Sequence, residues 1–226
     1  HNLGLLIKND LASIDENKIV IRKHYFDESI YGENFLNRKK YEKLNHTKIL
    51  SHIGDFYGQR SPMPLLLQLK KLAKNKNVKG KCKLNLIGRF SPQNKIDCLK
   101  IINEIKIINL DEKRILFTES IAHILNSDVL IVFEANKYNL PYKLTEYIGM
   151  DKIIWGIGEI DGALYSEMKC WNSLFSDIKE PKSILKTLDY ILSSNMDSLK
   201  KKHTVPISVR DSFSMKNAFS EINTLL

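Results

Sequence analysis

Cysteine is scarce in this chain. There are three in 226 residues, Cys82, Cys98 and Cys170, far apart and odd in number. They offer no disulfide framework and none of the close pairs that zinc sites use, so all three are expected to be reduced, buried thiols of a cytosolic protein. No run approaches the ~18 apolar residues of a membrane span, and no signal-peptide pattern stands near the N-terminus. The first residue is His1, not methionine, which leads us to expect an excised part of a larger protein. Internal repeats and low-complexity runs are absent. So are histidine pairs at metal-ligand spacing: His46, His52, His123 and His203 read as ordinary buried or surface residues, not as metal ligands. No Ser-His-Asp arrangement is apparent, and Asp55, Asp111, Glu159 and Asp161 read as turn residues.

What is present fits a packed domain. Hydrophobic residues make up 43% and charged residues 27%, which excludes a disordered tail, a collagen-like chain and a coiled-coil rod. The length allows one large domain or two small ones, with ample core. Lys and Arg number 35 against 26 Asp and Glu, a net charge of +9. The excess is scattered in short runs such as Lys39-Lys40, Lys70-Lys71 and Lys200-Lys201-Lys202. That pattern reads first as a lysine-rich solvated surface. Nucleic acid, which calls for a concentrated basic face with interleaved aromatics, is not expected as a partner.

Short apolar runs alternate with amphipathic segments. Lys48–Ile53 reads as a strand ending at Gly54, and residues 61–75 as a helix capped by Ser61, with an apolar stripe through Leu65, Leu66, Leu69, Leu72 and Ala73. Strands follow at 84–87, 114–117, 128–133 and 153–155, with an edge strand at 170–175. Helices are expected at 93–104, 120–125, 140–150, 161–168, 181–201 and 211–226, the last two with the option of packing elsewhere. Such alternation predicts an α/β fold: a doubly wound, Rossmann-like parallel sheet with helices on both faces. In such sheets ligands bind beyond the carboxyl ends of the strands. The candidate segments are therefore residues 54–61, 88–92, 118–120 and 134–141.

Two of these segments carry recognisable chemistry. In Gly54-Asp55-Phe56-Tyr57-Gly58-Gln59-Arg60-Ser61, glycines let the backbone approach a ligand, and Arg60 stands just before a helix N-terminus that suits a phosphate. The spacing matches neither a dinucleotide fingerprint nor a Walker A loop, and an ordinary turn with a surface arginine explains it equally well. In Asn139–Met150, Lys143 and Glu146 share one side of a helix. They read either as a surface ion pair or as a phosphate contact plus a carboxylate for a ribose diol.

These segments, in this order and at this separation, resemble the C-terminal half of a family 4 (group 1) glycosyltransferase of the GT-B type. Lys18–Arg22 is similar to the strand that enters the second domain, with residues 1–17 as a linker or remnant helix and residues 18–226 as the nucleotide-sugar-binding domain. Leu84–Gly88, Ile115–Thr118 and Ser127–Phe133 are similar to the family's strands. Leu140–Tyr147 with Met150–Ile154 is similar to its "lP.Kl.EYma.gkPii" signature, the most specific match.

The resemblance implies a domain that binds a nucleoside diphosphate sugar, with Gly54 in the opening turn. Arg60 and Lys143 would contact the diphosphate, the backbone at Asn139 and Leu140 would offer amides to it, and Glu146 would hydrogen-bond the ribose. Phe117 and Thr118 would pass the nucleobase. It further implies metal-independent transfer to a sugar or lipid-linked acceptor held by a separate N-terminal domain, in polysaccharide or glycoconjugate synthesis. The location would be cytoplasmic or at the inner membrane face, which leaves peripheral membrane association open, and the domain by itself would be weak or inactive. One departure stands out: the family's E-x7-E motif calls for glutamate at position 138, where this chain has Tyr138, and Glu134 lies too early. The alternative is a non-catalytic nucleotide-binding or interaction module.

Overall fold

The computed structural model describes residues 24–29, 47–75, 78 and 80–223. The expected entry strand at 18–22 and the linker lie outside the described residues.

Six strands form one fully parallel sheet in the order β3-β2-β1-β4-β5-β6. They are β1 (Lys48–Ile53), β2 (Cys82–Ile87), β3 (Ile108–Asp111), β4 (Val129–Glu134), β5 (Ile153–Gly158) and β6 (Leu174–Asp177). The helices between and after them are α1 (Met63–Asn75), α2 (Pro92–Glu104), α3 (Phe117–Asn126), α4 (Tyr142–Gly149), α5 (Ala163–Met168), α6 (Pro181–Ser193), α7 (Met196–His203), α8 (Ile207–Asp211) and α9 (Met215–Asn223).

The doubly wound prediction holds, and its cause is visible along β4. Val129, Ile131 and Phe133 join one apolar cluster with Leu65, Leu69, Ile184 and Leu188. Leu130 and Val132 join the other, with Ile121, Ile124, Leu144 and Tyr147. A strand covered on both faces reads as a continuous apolar run, as Val129–Phe133 does before the strand ends at Glu134. The first three strands run outward from β1, and the crossover through α3 returns the chain to the opposite side of β1. The order therefore reverses between β1 and β4, and a crevice opens there beyond their carboxyl ends.

Several expectations need correcting. Residues 114–117 are not a strand. The third strand is Ile108–Asp111, and Phe117 already begins α3. Leu116 and Phe117 are exposed, and the Glu119 carboxylate accepts a hydrogen bond from the Leu116 N–H at 3.0 Å, as a first-turn glutamate does. The apolar triplet was too short to separate a strand from a helix start. The helix over 181–201 is broken by Ser194, with Asn195 capping α7 through the Ser198 N–H. The segment after 211 is likewise two short helices, α8 ending at Asp211 and α9 starting at Met215. Edge strand β6 begins at Leu174, later than expected. Cys82 and Cys98 are buried as expected, and burial pushes both thiols up to about 11; Cys170 is exposed. Among the described residues no helix is long and apolar enough to cross a membrane.

The late helices pack on this domain. Ile184, Leu188 and Leu199 enter the first cluster and Phe213 the second. Phe26 bridges to the same region, donating its N–H to Phe213 O and accepting from Met215 N–H, while its ring lies against Gly149.

Candidate functional site

The floor of the crevice is made by the β1–α1 and β2–α2 turns, zipped together. Gly54 N–H donates to Ile87 O, Phe56 N–H to Arg89 O and Ser91 N–H to Phe56 O. Asp55, expected as a simple turn residue, accepts from the Arg89 backbone N–H at 2.9 Å and from its side-chain Nε and Nη2 at 3.0 and 2.6 Å. The Arg89 guanidinium and these hydrogen bonds together hold the Asp55 carboxyl below the usual range, against the opposing effect of burial. At Gly88, with φ of 142°, a Cβ would lie 2.1 Å from Gly54 O, so the two turns can meet only because residue 88 is a glycine.

Lys143 lies across the top of this floor. Its Cε would be 3.2 Å from a Cβ at Gly54, and its Nζ pairs with Glu146 at 3.2 Å. The Glu146 side chain is only 9% exposed, so this is no loose surface pair. Leu144, Tyr147 and Ile148 fix the helix that carries both residues, and the Tyr147 hydroxyl accepts from the Ile53 N–H at 3.2 Å. Burial pushes that phenol above its ordinary range.

Beneath sits His52, buried between the rings of Phe56 and Phe133. Its Nδ1 lies 2.8 Å from Ile131 O, a carbonyl that can only accept, so Nδ1 carries the proton. Nε2 is buried, has no hydrogen-bond partner, and lies 3.5 Å from where a Cβ at Gly54 would sit. Burial, then the nearby charges of Lys143 and Arg60, bring this imidazole down to about 4.

Arg60 is tied down. It donates from one guanidinium nitrogen to Glu134 at 2.5 Å and from the other to the Tyr57 hydroxyl at 3.1 Å, and it stacks over the Tyr57 ring. Glu134 also accepts from Asn139 Nδ2 at 2.7 Å and from the Asn136 N–H at 2.9 Å. A glutamate dismissed as too early in the sequence is thus a central side chain of the site. The only sequence signal for it was its place at the carboxyl end of the most strand-like run. A polar pocket of about 440 Å³ opens beside this pair, lined by residues 57–60, 134–137 and 139 with Glu159. Glu159, expected in a turn, pairs with Lys179 at 2.7 Å.

Gly54, Lys143 and Glu146 are therefore together; Arg60 and Asn139 meet at Glu134 and line the pocket, whose lining does not include the other three. Leu140 is half-buried in the second cluster, ahead of Pro141 at the start of α4. Phe117 and Thr118 lie at the exposed N-terminus of α3, away from the pocket lining. Tyr138 is 44% exposed, and Lys137 lies over its ring. Among the described residues no group of three His, Cys, Asp or Glu side chains is placed to hold a metal ion.

Comparison with known proteins separates sequence from fold. No protein-family model matches the chain, and no curated protein matches it. Solved structures do. A glycosyltransferase from Rickettsia africae superposes over 99% of this chain and 60% of its own, with a TM-score of 0.67 at 16% identity. Anabaena Alr3699/HepE, solved with UDP and glucose, matches 96% of this chain and 60% of its own, with a TM-score of 0.61 at 9% identity. The C-terminal domain of the group 1 glycosyltransferase LpcC from Francisella tularensis matches 83% of this chain and 95% of its own, with a TM-score of 0.57 at 14% identity. The chain has the fold of the C-terminal half of a GT-B glycosyltransferase. It spans 60% of the Rickettsia and Anabaena proteins. The strand order reverses between β1 and β4, the place where open α/β sheets in general take ligands.

Proposed function

We propose that this domain binds the nucleoside diphosphate sugar donor of a glycosyltransferase. The observation that carries the reading is Lys143 lying over the Gly54 turn with the sheltered Glu146 carboxylate paired to it, while Arg60, just before α1, lines the polar pocket. Two cations and a helix N-terminus suit a diphosphate; a buried carboxylate suits a ribose diol. In transfer, the glycosyl bond to the diphosphate breaks as the sugar moves to an acceptor hydroxyl. The leaving diphosphate gains negative charge, which Arg60, Lys143 and the α4 amides would stabilise.

The acceptor, a sugar or a lipid-linked saccharide, would be held by a partner domain outside the described fold, in polysaccharide or glycoconjugate synthesis at the cytoplasmic side of a membrane. Transfer by this chain alone would be weak. Tyr138, standing where the resemblance calls for glutamate, favours a second reading: a module that binds the nucleotide without transferring the sugar. Release of labelled sugar to an acceptor by the full enzyme separates the two.

A panel of UDP-, GDP- and ADP-sugars tests binding. At about a hundredfold excess over Kd, a true ligand stabilises by roughly 2.7 kcal/mol and raises Tm by about 5–10 °C. Glu146→Ala is expected to weaken that ligand about tenfold or more. A panel with no shift, or an unchanged response in Glu146→Ala, would overturn the reading.

A further inference from the structure

The ion pair at the mouth of the pocket has a role of its own. The Arg60 side chain is 15% exposed and that of Glu134 only 5%. One arm of the guanidinium fork is spent on Glu134 and the other on Tyr57, while Nε is buried without a partner. Glu134 in turn accepts from the Asn136 N–H and the Asn139 amide. A cation and a loop N–H converge on this carboxylate as they would on a phosphate oxygen. Carboxylate and phosphate compete for the same guanidinium fork, because both present paired oxygens at similar spacing.

We infer that Glu134 is a built-in counter-ion that occupies Arg60 and weakens the hold of the site on a bare diphosphate. A diphosphate that takes Arg60 leaves Glu134 charged, sheltered and facing another anion, which raises the free energy of that complex. When the sugar has left, re-formation of the Arg60–Glu134 pair favours departure of the diphosphate, a step that limits many enzymes. The pair thus sets product release. This inference rests on the donor-binding reading, yet its sign is its own. A purely structural glutamate would weaken binding on removal, whereas a counter-ion strengthens it.

The test is titration calorimetry of the full chain with inorganic pyrophosphate and with UDP, GDP and ADP. Glu134→Gln keeps the side-chain shape and an oxygen for the Asn136 N–H but removes the charge. It is expected to bind pyrophosphate and the cognate nucleotide about tenfold more tightly, and Arg60→Gln in the same chain should erase the gain. Glu134→Asp provides a second variant should the first fold poorly. Its carboxylate can still accept from the residue two positions on but falls short of Arg60, so a smaller gain is expected. Equal or weaker pyrophosphate binding by both variants, or no binding by any form, overturns the inference. Tighter pyrophosphate binding with no response to any nucleotide supports the counter-ion and overturns the donor reading. Nucleotide binding that the variants leave unchanged does the reverse.

Discussion

Acid should weaken this fold through His52. The imidazole is buried and neutral, with Nδ1 donating to Ile131 O and Nε2 enclosed beside Gly54. Its folded value lies at about 4 against an ordinary 6.5. Below pH 6.5 the unfolded chain takes up a proton at this site and the folded chain does not, so stability falls with pH until about pH 4 and then levels. The gap is 6.5 − 4 = 2.5 units, and at ~1.36 kcal/mol per unit the loss is about 3 kcal/mol. That is a large fraction of the ~5–15 kcal/mol that holds a typical domain together. His52→Asn provides the comparison, because its amide can donate to Ile131 O but does not titrate. At pH 7.5 the variant should be less stable by about 2 kcal/mol for the lost ring volume. As pH falls, the difference should shrink and change sign near pH 5. Urea unfolding at pH 7.5, 6.5, 5.5 and 4.5, followed by circular dichroism, measures both curves. The Asp55 carboxyl also loses stability in acid, but it is common to both proteins and cancels in the difference. Parallel curves from pH 6.5 to pH 4.5 would refute the reasoning.

Two further substitutions test the packing that holds the site. Gly149→Ala would place a Cβ 2.7 Å from the Phe26 ring; a loss of about 1–3 kcal/mol is expected, largely relieved by Phe26→Leu, as read by thermal unfolding. Lys48, nearly buried, donates its ammonium to Leu192 O and Ser194 O at 3.1 and 2.6 Å and so closes the C-terminus of α6. Lys48→Met should cost about 1–3 kcal/mol in urea unfolding and speed hydrogen exchange at that helix end.

The sheet was legible wherever burial on both faces left a continuous apolar run, as at Val129–Phe133. It failed at Arg114–Phe117, where the apolar side chains lie at a helix start and mostly face solvent. The true strand there, Ile108–Asp111, is a half-buried edge with a weaker pattern. Lys143 and Glu146 were legible because three residues on a helix always bring side chains together. Glu134 was not, because it meets Arg60 across 74 residues of sequence through a turn closed by Asn136 and Asn139. Spacing alone counts Glu134 as four residues out of place, whereas the turn folds it into the site. Nor could sequence tell that Cys170, two residues past the end of α5, faces solvent.

The central claim is that the β1–β4 crevice takes a nucleoside diphosphate sugar. Mapping backbone NMR shifts on addition of the UDP-, GDP- or ADP-sugar that raises Tm tests it most directly. The account predicts changes concentrated at residues 52–60, 134–140 and 142–146. Changes centred elsewhere, for example on the Lys200–Lys202 run, or no change with any donor, would contradict it.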